Sequence, residues 1–172
     1  ERLLSVFSEG GASLIGEDLG TVPDFLRVSL AERGIPGMKV MRWERNWHAA
    51  GHPFHDVTAY PEVSVATSGT HDTETMAESV FRDSLRESAE DPFSNRTRDV
   101  LLEALFAAGS RLLILPIQDI LGWRDRINTP ALVNDQNWTW RLPGPVEDLT
   151  TDPSGLERAG FLHELSRKYG RA

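Results

Sequence analysis

A chain of 172 residues that is 40% hydrophobic and 26% charged has the apolar content for one domain with a core, which excludes disorder. Its net charge of −8 excludes the basic surface that a nucleic-acid partner demands, and no apolar run is long enough to span a bilayer. With no cysteine there is neither a disulfide framework nor a thiolate metal site, and a cytoplasmic setting is expected.

Strand and helix patterns alternate along the chain. Glu1 to Glu9 carries Leu3, Leu4, Val6 and Phe7 and stops at Gly10-Gly11, so it reads as the end of a helix rather than as a signal peptide. Ala12 to Gly16 reads as a first, apolar strand. Thr21 is the expected N-cap of a helix with Pro23 just inside it, in which Phe25, Leu26, Leu30 and Ala31 repeat at helical spacing until Gly34. Met38 to Trp43 alternates as a second strand, and residues 44–62, rich in His, Pro and Trp, read as a long loop. Ser64 to Ser68 is the third strand. Thr73 to about Ser88 reads as a helix with Glu74, Glu78, Asp83 and Glu87 on a solvated face. Ser94 or Asn95 starts another, with Val100, Leu101, Leu105 and Phe106 on one side. Leu112 to Leu115 is the fourth strand, Trp123 to Gly144 is irregular, and Gly155 to Tyr169 closes the chain as a helix.

Short apolar strands separated by helices predict βαβ units and a parallel sheet, hence an α/β fold. Four strands are half of an eight-stranded barrel, which typically takes about 250 residues. The expectation is therefore a small open sheet or the C-terminal part of a larger barrel, and a chain that opens within a helix favours the second.

Two of the strand ends carry acids: Gly16-Glu17-Asp18-Leu19-Gly20 and Thr70-His71-Asp72. The C-terminal ends of parallel strands are where a barrel places its chemistry. A pair of carboxylates brought together there is the usual equipment for breaking a glycosidic bond, and a neutral sugar is indifferent to the acidic net charge. Glu17 can donate a proton only if burial or a negative neighbour holds its pKa up. Asp18 should point to the opposite side of the extended chain, which leaves Asp72 as the expected neighbour.

Gly16 to Gly20, Pro36-Gly37-Met38-Lys39-Val40, Ser68 to Asp72, Pro116-Ile117-Gln118-Asp119, Arg126-Ile127-Asn128 and Asn137-Trp138-Thr139-Trp140-Arg141 stand in a recognisable order and spacing. Over residues 12–142 the chain resembles the amylomaltases, the 4-α-glucanotransferases. The resemblance implies a TIM (β/α)8 barrel of the α-amylase type, of which residues 1–172 would be the C-terminal half, about four βα units. It implies retaining transfer of α-1,4-glucan segments by double displacement, with α-1,4-glucans and maltooligosaccharides as partners and no cofactor or metal.

By the same resemblance Glu17 is the general acid/base and Asp72 holds the ring hydroxyls and stabilises the transition state. His71 hydrogen-bonds the same sugar, and Asp18, Asn128 and Trp138 are its further contacts. The family's nucleophile is an aspartate in a block like Arg-Ile-Asp-His, which has no match here; Arg126-Ile127-Asn128 ends in an amide, and an amide cannot form the glycosyl ester. The N-terminal half of the barrel is then the missing partner, the chain alone is expected to be inactive, and open sheet edges invite self-association.

Blander readings stand beside these. Glu17 could merely cap a helix, His71 and Asp72 could form a structural hydrogen bond, and Asp119 is expected to support the site from behind or to cap a helix. His48, His52 and His55 with Asp56 invite zinc, but no regular element fixes their geometry. Trp138 and Trp140 alternate, so one can stack on a sugar while the other enters the core, or both can pack beneath a loop. Pro130-Ala131 stands where the family usually has Pro-Gly, and alanine resists positive φ. A hydrolase or branching enzyme of the α-amylase group, or a noncatalytic half-barrel that binds glucan, are the alternatives.

Overall fold

The computed structural model describes residues 2–78 and 93–171. Three parallel strands form one sheet in the order β1 (Gly37–Val40), β2 (Ser64–Thr67), β3 (Leu112–Leu113). Gly37 pairs with Ser64 and Val40 with Thr67, while Val65 pairs with Leu112. Every residue of β2 is buried, as a central parallel strand covered on both faces must be. Around the sheet run α1 (Arg2–Glu9), α2 (Asp24–Glu32), α3 (Asn95–Phe106), α4 (Ile117–Leu121) and α5 (Pro153–Lys168).

The expected first strand is reduced to a single bridge, Gly16 to Gly37, with Gly16 N–H donating to Pro36 O at 2.8 Å. Leu30 of α2 explains the residue at this point: a Cβ on Gly16 would lie 2.7 Å from Leu30 Cδ1, so helix and chain touch only because no side chain intervenes. Before it, Ser13 and Ile15 are exposed, and among the described residues no further strand flanks them. The second strand ends earlier than expected, at Val40, and continues as a 3-10 turn, Met41–Trp43. Pro23, not Thr21, takes the cap position of α2, and no side chain caps that helix. Of the two residues expected to start α3, Ser94 caps it, its side chain accepting from Thr97 N–H. Residues 73–75 are irregular and 76–78 form a turn, and the rest of the helix expected there lies outside the described residues.

α3 makes the core. Its buried face carries Arg98, Leu101, Leu102, Leu105 and Phe106, the i, i+3, i+4, i+7, i+8 stripe of an amphipathic helix. Val100, expected on the same side, is exposed. Leu101, Leu102 and Leu105 pack with Met41, Tyr60, Ala66, Met76 and Ala108, and Phe54, Phe93, Leu115 and Phe161 close the cluster. Just past α3 the backbone of Gly109 lies against the turn that precedes β2: its N–H donates to Val57 O at 3.0 Å, and a Cβ would stand 2.5 Å from Tyr60 O and 2.6 Å from Thr58 O. Gly109→Ala is therefore expected to lower stability by about 1–3 kcal/mol through overpacking against backbone, read as a fall in the urea midpoint at unchanged slope.

Candidate functional site

The chain leaves the end of β2 through a segment without ladder hydrogen bonds, so local side chains shape it. Thr67 Oγ1 donates to Gly69 O at 2.8 Å. Thr73 Oγ1 accepts from Thr70 N–H at 2.9 Å and donates to Thr70 O at 3.0 Å, closing a tight turn. His71 and Asp72 stand exposed at its tip.

The irregular stretch after α4 comes back over this tip. Asn128 Nδ2 donates to Asp72 Oδ1 at 2.6 Å, and Asn128 N–H donates to His71 O at 3.2 Å. His71 Nε2 lies 3.3 Å from the same Asp72 oxygen, and Arg126 Nη2 donates to Asp72 O at 3.3 Å. Trp138 holds φ 64° and bonds Ile127 O through its own N–H at 2.8 Å, which lays its ring 5.0 Å from the His71 ring. It is 60% exposed, whereas Trp140 is half-buried and packs against Trp123 at 6.1 Å. The two tryptophans thus take different surroundings. The Asn137 side chain knits the loop by accepting from Thr129 N–H and donating to Thr129 O and Leu132 O. His71, Asp72, Asn128 and Trp138 are brought together.

Glu17 and Asp18 stand on a different segment of the chain, beside β1 rather than past β2. Because Gly16 pairs with Gly37, they run alongside the beginning of β1, and among the described residues no hydrogen bond or ion pair joins Glu17 to Asp72. The alternation expected of extended chain is present: Glu17 is exposed and Asp18 is buried. Asp18, expected among the sugar contacts, is engaged with the fold instead. Its Oδ1 accepts from Met38 N–H at 2.8 Å and its Oδ2 lies 3.4 Å from Arg27 Nε, so it ties the turn to β1 and α2. A groove of about 610 Å³ opens here between Asp18, Lys39, Trp43, Glu44 and Trp47. A larger cavity of about 800 Å³, lined by Arg98, Trp123, Leu149 and Arg158 among others, touches none of the expected site residues.

Beneath the His71–Asp72 tip sits Asp119 of α4, 1% exposed. Its Oδ2 accepts from Ser68 Oγ at 2.5 Å and its Oδ1 from Met76 N–H at 2.7 Å. Burial pushes its carboxyl pKa up, against the pull of those two hydrogen bonds and of the Arg42 charge. Arg42, just past β1, donates from Nη2 to Glu74 O at 2.6 Å and places Nη1 3.9 Å from Glu74 Oε2. Arg126 reaches the same side chain at 3.7 Å and Glu78 at 3.7 Å. Glu74 and Glu78, expected on a solvated face, are therefore half-buried and paired with cations from elsewhere in the chain; Asp83 and Glu87 lie outside the described residues. Of the histidines that invited zinc, His52 packs its ring 5.3 Å from Trp47, and among the described residues no group of three His, Asp or Glu side chains is arranged to hold a metal ion.

Comparison with known proteins decides the family. The family model described as 4-alpha-glucanotransferase matches residues 1–148. The chain belongs to the 4-alpha-glucanotransferase family. It is 30% identical over 154 residues to the 4-alpha-glucanotransferase of Chlamydia pneumoniae, covering 78% of this chain and 29% of that protein. It is 30% identical over 179 residues to a chloroplastic/amyloplastic 4-alpha-glucanotransferase of Arabidopsis thaliana, covering 94% of this chain and 28% of that protein. The amylomaltase from Streptococcus agalactiae, solved in complex with acarbose, superposes with a TM-score of 0.68 at 27% identity over 97% of this chain and 34% of its own. The chain thus spans about three-tenths of the length of the curated relatives it matches. Those neighbours place the three-stranded parallel piece in a barrel family of the α-amylase type. Among the described residues no helix is long and apolar enough to cross a membrane.

Sequence reasoning missed Arg42 and Arg126 as parts of this cluster. Arg42 had a signal: a cation between Met41 and Trp43 at the end of the alternating run Met38–Trp43 must find partners if the run is buried. Arg126 was visible only as the first residue of a block that lacked the nucleophile.

The family departure at Pro130-Ala131 is resolved in an unexpected way, since Ala131 adopts φ 63°. The loop keeps a left-handed residue and the alanine bears the strain. Ala131→Gly is expected to raise stability by about 0.5–1 kcal/mol, the left-handed penalty less the added freedom of glycine in the unfolded chain, measured by chemical denaturation. For Asp119 the sign runs opposite to the common carboxylate case. With its folded pKa raised above the ordinary 3.8, its stability contribution is present below that value and is lost as pH rises through the folded pKa. Unfolding series from the carboxylate range to neutrality should show the native chain losing stability relative to Asp119→Asn as pH rises; a pH-independent difference would contradict the raised pKa.

Proposed function

We propose that the chain is the C-terminal part, residues 1–172, of the catalytic barrel of a retaining 4-α-glucanotransferase. In this reading it carries the acid/base and the transition-state-stabilising aspartate, while the nucleophile comes from the remainder of the barrel. The convergence of His71, Asp72, Asn128 and Trp138 beyond the end of β2, in a chain of this family, carries the reading. The edges of the sheet at Gly16 and at β3 are where the other strands of the barrel would pair, or where a second copy would if they are absent.

The geometry suits a sugar. Asp72 Oδ1 is held by Asn128 and His71, and among the described residues its Oδ2 accepts no hydrogen bond, which leaves that oxygen for a ring hydroxyl. Trp138 offers an exposed indole face beside it, and base-stacking-like contact with the apolar side of a pyranose is what such a face does well. α-1,4-Glucans and maltooligosaccharides are the proposed substrates, in keeping with the acarbose complex of the similar amylomaltase.

Glu17 protonates the departing glycosidic oxygen as the nucleophile forms a glucosyl ester. It then removes the proton from the 4-hydroxyl of an acceptor glucan as that oxygen displaces the ester, so the anomeric configuration is retained. Asp18 fixes the turn from which Glu17 projects. No cofactor enters either step, and without a nucleophile the chain alone is inactive.

In the full-length transferase, Glu17→Gln should abolish transfer from maltotriose while largely sparing ester formation from α-glucosyl fluoride, whose leaving group needs no proton. Equal loss on both donors would remove the acid role from Glu17. Release of glucose and maltose without longer products, in the native enzyme, would make it a hydrolase instead.

A further inference from the structure

The segment from Ser68 to Met76 presents His71 and Asp72 with no strand partner of its own. Most of what shapes it comes from its own threonines, and these fix the turn without fixing where the turn stands. Asp119 differs from every other contact: one carboxylate holds both ends of the segment, Ser68 through Oδ2 and Met76 through Oδ1. Ser68 and Met76 are themselves 1% and 0% exposed, so water offers neither group a substitute partner. A loop closed at its base by a rigid clasp has few ways to move its tip. An open one can swing through the ångström or so that costs an enzyme its alignment.

We infer that Asp119 is a positioning residue, whose carboxylate staples the two ends of the Ser68–Met76 loop and thereby sets where His71 and Asp72 stand. The inference rests on the transferase reading for its effect on rate, but not for its effect on the loop. Arg42 reinforces the staple by holding Glu74 O from the end of β1, and Arg126 holds Asp72 O from the other side. The loop is therefore clasped by three side chains, the nearest of them 32 residues from its partner along the chain. Asparagine can take the place of Asp119: its Oδ1 accepts from Met76 N–H while its amide donates to Ser68 Oγ. Alanine can do neither.

The test uses the full-length transferase, with Asp119→Ala, Asp119→Asn, Ser68→Ala and, as the control on the reaction, Asp72→Asn. Amide hydrogen exchange is followed over residues 70–76 against Val65 and Ala66 of β2, together with kcat and KM for maltotriose. Asp119→Ala should speed exchange in the loop tenfold or more while β2 keeps its protection. It should also lower kcat about 10–100-fold with a smaller change in KM. Asp119→Asn should return most of both, and Ser68→Ala should fall between.

Unchanged loop exchange in Asp119→Ala, or equal deprotection of loop and β2, overturns the staple, as does an asparagine variant no better than alanine. If the alanine variant does not fold, Ser68→Ala decides, and native-like loop exchange in it overturns the inference. Native kcat in Asp72→Asn would sink the transferase reading, and the exchange data would still judge the staple.

Discussion

A buried carboxylate with two hydrogen bonds to groups that have no other partner among the described residues is the constraint on which the site's shape depends. Backbone that leaves a sheet loses its ladder, and each buried N–H must then find an acceptor elsewhere. Met76 lies in the core at 0% exposure, so its N–H cannot turn to water. Asp119 supplies the acceptor from α4 and takes the Ser68 hydroxyl with its second oxygen. The end of α4 is held in turn by α3, where Arg98 Nη1 donates to Leu121 O at 3.4 Å. A chain of ordinary packing decisions thus ends at the tip that bears His71 and Asp72.

Charge around that base is arranged in alternation rather than neutralised pair by pair. Arg42 and Arg126 approach Glu74 from two sides, and Arg126 continues to Glu78. Burial lowers the pKa of the Arg42 guanidinium and raises those of the Glu78 and Asp119 carboxyls, so each group bears a desolvation cost that its neighbours offset. Removing one member would leave an uncompensated charge in a poorly solvated place, which is more damaging than never having had the pair. The same network carries Arg126 to the backbone of Asp72.

The groups proposed to act on substrate differ from this base in being exposed. Glu17, His71, Asp72 and Trp138 are all open to solvent, while the residues next to them in sequence, Asp18 and Thr73, are buried and hydrogen-bonded. That division follows from short extended or turned segments in which neighbouring side chains take opposite sides. It lets one residue anchor the chain and the next reach for a ligand.

The sequence by itself determined the parallel α/β class, three of the strands within a few residues, the start of α3 at Ser94 or Asn95, and the blocks that carry the family resemblance. These are local properties: apolar runs, turn residues and caps act over a handful of neighbours, so they are written where they act. Only the tertiary structure decided that Ala12 to Gly16 keeps one bridge, that Val100 faces out, that Glu74 and Glu78 turn inward to arginines, and that Asn128 and Trp138 meet His71 and Asp72. Each of those outcomes depends on groups more than 20 residues apart in the chain or on which side of an element the core lies. No local pattern encodes such a distance, because the energy that selects it exists only once the sheet, α3 and α4 have assembled around the loop.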